Sequence, residues 1–88
     1  MTFEEINEFL EEKLGADSDE VILADGFDRA FIGASLDPPR VIYSIDLCID
    51  TLTNQGMPAE DAESYFWKNT VGATEEYENA PIFIHTLI

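Results

Sequence analysis

The chain has 88 residues, 19 of them acidic and four basic, for a formal net charge of −15. A field of that sign repels nucleic acid and anionic membranes and draws basic surfaces, which excludes direct nucleic-acid binding and points to a partner of opposite charge. Hydrophobic residues make up 45% and aromatics 11%, a content that acidic disordered tails lack, so a single folded domain is expected.

Thr2 and Glu5 stand three apart, the spacing of a capping box, and open a helix over residues 2–14. Phe3, Ile6, Phe9, Leu10 and Leu14 fall on one stripe of a 3.6-residue period. Glu4, Glu5, Glu8, Glu11 and Glu12 occupy the other face, with Lys13 as the local base, and Gly15 suits the C-terminal cap. Like charges at i,i+4 spacing cost a helix a few tenths of a kcal/mol per pair (roughly 0.2–0.5). Local stability therefore does not account for the row. Either it serves solubility or it is a recognition surface. This opening is acidic and amphipathic, unlike a secretory leader, so a cytoplasmic location is expected. No apolar run approaches the roughly 20 residues of a membrane span.

Residues 17–20 form a polar connector. Asp17-Ser18-Asp19 resembles the start of a calcium loop but lacks its later glycine and glutamate. Val21 to Ala24 reads as a short strand, Asp25-Gly26 as a turn, and residues 27–36 as a second strand. On that strand Ala30, Ile32, Ala34 and Leu36 share one face, and Phe27, Arg29, Phe31, Gly33 and Ser35 the other. Both faces are partly apolar, which suggests a central strand. Asp37-Pro38-Pro39 makes a rigid turn into a third strand over residues 40–43.

Ser44 is placed to cap a second helix, with Asp46 in its first turn. Ile45, Cys48, Ile49 and Leu52 are its buried stripe, and Gly56 ends it. Pro58 begins a third helix. Ala62, Tyr65, Phe66 and Asn69 line its inner face and Gly72 closes it. Thr74 to Asn79 is an acidic loop, and residues 82–87 form a last strand. The order is α-β-β-β-α-α-β. It describes an α+β domain over residues 1–88, an antiparallel-dominated sheet of about four strands with helices on one side.

Four stretches carry a resemblance. They are Asp25-Gly26-Phe27-Asp28-Arg29-Ala30-Phe31-Ile32-Gly33, the Val41-Ile42-Tyr43 strand running into Cys48-Ile49, Gly56-Met57 leading into Ala62-Glu63-Ser64-Tyr65-Phe66-Trp67-Lys68-Asn69, and Gly72-Ala73 followed by Pro81-Ile82-Phe83-Ile84. Together they are similar to a family of small acidic phage-encoded proteins without assigned function. The resemblance covers roughly residues 20 to 84 and leaves the acidic first helix outside. The family often has an aromatic in place of Lys68 and an acidic or polar residue at Ser44. What the resemblance implies is a phage or phage-like origin and action in a host cytoplasm. It supplies no catalytic residues.

The remaining polar residues show no catalytic constellation, and no cofactor or metal is expected. Asp25 and Asp28, together with Asp46 and Asp50 if folding draws them near, are weighed as a divalent-cation site against a plain turn at Asp25 and a pairing of Asp28 with Arg29 or solvent. His85 lacks the partners that general-base or zinc chemistry requires and is read as a partly buried hydrogen-bonding residue. Cys48, the only cysteine, excludes an internal disulfide and reads as a small core residue. Trp67 falls at the edge of the third helix's apolar face near Glu60 and Glu63. It is either a binding anchor or a ring folded over the sheet edge. The residues assigned to partner binding are Glu4, Glu8, Glu11, Glu12, Glu63 and Trp67. The expected function is binding and modulating a host or phage protein with a basic surface, as inhibitor or adaptor, with DNA mimicry by the acidic helix as a special case. The alternative is a self-associating domain, with a homodimer as its form, whose acidity serves solubility.

Overall fold

The structure is a computed structural model that describes residues 2–15, 21–36 (Leu36 by its backbone only) and 38–86. The polar connector read at 17–20 and the Leu87 end of the last strand lie outside the described residues. Three helices and a three-stranded mixed sheet make a small α+β fold.

Helix α1 (Phe3–Leu14) begins and ends as its sequence dictates. Thr2 Oγ1 accepts the Glu5 N–H at 3.2 Å and Glu5 Oε1 accepts the Thr2 N–H at 2.9 Å, closing the capping box. Gly15 takes a φ of 64°, the left-handed conformation of a helix C-cap. Ile6 and Leu10 are fully buried, while Phe3 stays half exposed.

The next segment departs from expectation. Val21 and Ala24 are buried, but they form a loop and not a strand. The Ala24 N–H donates to the buried Tyr43 hydroxyl at 3.0 Å, so a side chain takes the place of a ladder partner. The Phe27 N–H closes a turn onto the Ala24 carbonyl at 3.2 Å. Gly26 sits third in that turn at φ 87°, the positive value that a type II turn requires there. A single 3₁₀ turn (Asp28–Ala30) follows and buries Ala30.

Strand β1 (Phe31–Leu36) therefore starts four residues later than the pattern suggests. It pairs antiparallel with β2 (Pro39–Ser44), Phe31 opposite Tyr43 and Ala34 opposite Val41. The register slips between Phe31 and Gly33. This bulge at Ile32 explains the apolar residues on both faces. The extra residue breaks strict alternation and brings Phe31 and Ala34 onto one side. Ile32 is 45% exposed. The central strand is β2, not β1, because the sheet order is β1-β2-β3.

Helix α2 (Ile45–Asn54) is capped by Ser44, whose Oγ accepts the Leu47 N–H at 3.2 Å. Helix α3 (Ala59–Tyr65) runs without a break into a π-helical segment, Phe66–Val71. The sequence reads as one α-helix there. The Gly72 N–H instead reaches back five residues to the Trp67 carbonyl at 3.1 Å. The widened turn keeps Phe66 in the core while Trp67 remains 44% exposed. Strand β3 (Ile82–Ile84) is short, and it pairs parallel with β2, Tyr43 beside Phe83. Among the described residues the sheet thus has three strands and mixed direction, in place of the expected antiparallel-dominated sheet of about four.

One row of rings crosses the sheet. Phe31, Tyr43 and Phe83 are register neighbours on successive strands, with centroids 6.0 and 5.8 Å apart. Phe9 of α1 packs edge-on against the Phe31 end at 5.6 Å. Phe66 of the π segment packs edge-on against the Phe83 end at 5.3 Å and against Phe27 at 6.4 Å. Such edge-to-face contacts are the favoured ring geometry. They set α1 over the β1 edge and the π segment over the β3 edge.

Candidate functional site

The π segment borders a chain of three hollows. The first is a cleft of about 350 Å³ between the 24–27 turn and the segment's inner side. Leu23, Phe27 and Leu52 give it apolar walls, and Asp25, Gln55, Tyr65, Asn69, Thr70 and Thr74 bring polar groups to it. The second, about 270 Å³, shares Thr74 and Pro81 with the first and adds Arg40, Glu75 and Trp67. The third shares Trp67 with the second and is bordered by Glu60, Glu63, Ser64 and Lys68. Trp67 leans edge-on against Phe66 at 5.2 Å, so its exposed ring stands on a buried support.

The sequence-assigned binding residues fall into two groups. Glu63 and Trp67 meet at the third hollow. Glu4, Glu8, Glu11 and Glu12 lie exposed along α1, and none of their carboxylates forms an ion pair or hydrogen bond among the described residues. Glu5 is set apart from that row. Its capping bonds with Thr2 hold its carboxyl below the usual range. Because α1 stands over the β1 edge and the π segment over the β3 edge, the structure does not merge the two groups into one patch.

Several sequence readings change. Tyr65 and Asn69, expected on the inner face of the third helix, line the first cleft instead. Tyr65 is 44% exposed. Asp50 is occupied by Arg29 at 3.0 Å across a half-exposed surface. Asp46 accepts the Thr86 N–H at 3.1 Å and lies 3.5 Å from His85 Nδ1. The Thr86 bond foremost, with His85 helping, keeps the Asp46 carboxyl below its ordinary value. Two of the four aspartates considered as a cation site, Asp46 and Asp50, are thus drawn into separate contacts. Among the described residues, no group of three acidic, His or Cys side chains stands close enough to hold a metal ion. His85 is exposed, not partly buried, because it lies past the end of β3. Cys48 is fully buried, and desolvation pushes its thiol up to about 12, which keeps it protonated and inert.

The first cleft was missed by sequence reasoning because it depends on the π turn and on the loop pinned by Tyr43. The sequence hint was Asp25-Gly26, recognisable as a turn but not as a rim. No helix among the described residues is long and apolar enough to cross a membrane. Set beside known proteins, the chain matches no family model, no curated protein and no solved structure.

Proposed function

We propose that the chain is a binding module for a protein partner with a basic surface, and not an enzyme. The row Glu4, Glu8, Glu11 and Glu12 carries this reading. It is exposed, uncompensated within the described residues, and locally unfavourable to its own helix. Of the four bases, Arg29 is engaged with Asp50, and Arg40 donates from Nε to the Ala80 carbonyl at 2.6 Å. The uncompensated field steers a cationic partner toward the surface, and apolar contacts at Trp67 anchor it. In keeping with the phage-like resemblance, the partner is a host or phage protein in the host cytoplasm, and the chain acts as inhibitor or adaptor. Occupation of a DNA-binding cleft by the α1 carboxylates is the form in which duplex DNA competes.

The test is capture of a partner by the tagged chain at low and high salt, beside the Glu4→Gln/Glu8→Gln/Glu11→Gln variant. The reading expects one partner, identified as basic, that is lost in the variant and at high salt. A partner retained under both conditions sinks the role of α1.

Self-association is a second reading, favoured by the exposed Ile32 and Ile84 and by the edge position of β3 in the sheet. Sedimentation showing a monomer at micromolar concentration and moderate salt would remove it.

A further inference from the structure

We infer that the cleft beside Asp25 takes the guanidinium of an arginine side chain presented by an extended segment of the basic partner. The inference rests on the reading of a basic protein partner and adds the place and chemistry of its anchor.

Charge fixes the sign of the ligand. Among the described residues, Asp25 is the one carboxylate on the cleft wall, and no Lys, Arg or His lines it. In a chain of net charge −15, an anion has no counter-charge there. Hydrogen bonding fixes the type of cation. Asp25, Gln55, Asn69 and Thr70 side chains bring oxygen acceptors to the cleft, and none is spent on a bond to another described side chain or backbone group. A guanidinium presents five N–H donors in one plane, which suits several planar oxygen acceptors better than a compact ammonium does. Tyr65, 44% exposed, offers a ring face for the same flat cation to stack on.

Size and continuity fix the carrier. A volume of about 350 Å³ is at the low end for small-ligand sites, enough for one long side chain and too small for a helix. The three hollows adjoin. Thr74 and Pro81 line both the first and the second, and Trp67 lines both the second and the third. Such a row of adjoining hollows suits an extended peptide better than a free metabolite. Its ionisable borders are Asp25, Glu75, Glu60 and Glu63 against Arg40 and Lys68, so the first and third hollows carry an acidic excess and the second, with Glu75 against Arg40, is balanced. The π segment forms one bank throughout, and π turns inserted into α-helices frequently mark functional sites.

The experiment is an amide-resolved NMR titration of the whole chain with N-acetyl-arginine methylamide, N-acetyl-citrulline methylamide and a hexa-arginine peptide. It compares wild type, Asp25→Asn, Tyr65→Leu and the α1 triple Gln variant. Asparagine is well tolerated in turns, so Asp25→Asn preserves the loop. Tyr65→Leu probes the stacking face without touching the turn. The capped arginine is expected to give saturable shifts at Asp25, Gly26, Gln55, Asn69 and Thr70, and capped citrulline none. Asp25→Asn should weaken binding at least tenfold, since it removes a charge-assisted pair. Tyr65→Leu should weaken it about threefold or more, and the α1 variant should change it less than threefold. The inference is overturned if citrulline shifts the same amides, if Asp25→Asn titrates like wild type, or if no saturable shift reaches the cleft. In the last case hexa-arginine separates the two ideas. Shifts confined to α1 leave the basic-partner reading standing alone, and no binding at all removes both.

Discussion

Replacing Tyr43 by Phe tests how the cleft wall is held. Tyr43 is fully buried at the centre of the aromatic row, and its hydroxyl accepts the Ala24 N–H at 3.0 Å. Phenylalanine keeps the rings of Phe31 and Phe83 at their 6.0 and 5.8 Å spacings, so packing is nearly conserved. What is lost is the acceptor for a buried backbone donor. Leaving such a group unsatisfied costs about 1–3 kcal/mol. For a domain of this size each kcal/mol lowers Tm by about 4–8 °C, so the expected drop is about 4–24 °C. The denaturant m value should not change, because the surface exposed on unfolding is the same. Hydrogen exchange locates the effect. The Ala24 amide should lose protection by about 5- to 150-fold, at roughly tenfold per 1.4 kcal/mol. Amides of α1 should change only through global stability. Tyr77→Phe, at a side chain 59% exposed, serves as the control and should leave Tm in place. An Ala24 amide as protected in Tyr43→Phe as in wild type would show that the hydroxyl does not hold this loop.

Three further outcomes follow from the same contacts. A Cβ at Gly72 would stand 2.5 Å from the Lys68 carbonyl oxygen; overpacking costs about 1–3 kcal/mol against about 1 kcal/mol gained in helix propensity, so Gly72→Ala should lower Tm and shift Trp67 emission, and unchanged emission would refute the strain at this turn. Ser44→Ala removes the α2 cap and the 3.0 Å contact with Thr86 Oγ1, for an expected loss of about 1–2 kcal/mol in urea unfolding; Thr53→Ala, outside both contacts, should cost less. Burial raises Tyr43 from 10.0 and Cys48 from 9.0, each to about 12. Both groups stay protonated in the fold after the unfolded chain has lost its protons, so stability is fully present below about pH 9 and falls as pH rises toward 12. Cys48→Ala should flatten that fall in pH-dependent urea unfolding, and an unchanged slope would contradict the assignment.

Local signals written in neighbouring residues read correctly. Thr2 with Glu5, Gly15 and Ser44 specify caps within a few positions, and the structure shows each of them. The strand at residues 21–24 failed because its apolar pattern reports burial and not a ladder; the partner that decides the matter, the Tyr43 hydroxyl, is 19 positions away. The two-faced pattern of residues 27–36 concealed a bulge, which shifts the phase of alternation without changing composition. The α1 carboxylates and Trp67 were legible as candidates because charge and aromatic type are printed in the sequence. The cleft was not, since it requires the π turn, and no residue from Phe66 to Val71 announces a widened helix.

The parallel pairing of β3 with β2 has a kinetic meaning. The β1–β2 hairpin closes over two residues, whereas the β2–β3 pair must close over the 37 residues between Ser44 and Ile82 (82 − 44 − 1). Loop closure of that length is paid before any contact rewards it. The hairpin is therefore an early element and the docking of β3 a late one. Pro81 and Phe83, which border the hollows, arrive with that last step. A partner seated there selects the completed fold over its nearly folded precursor, so occupancy would slow local opening of the C-terminal strand.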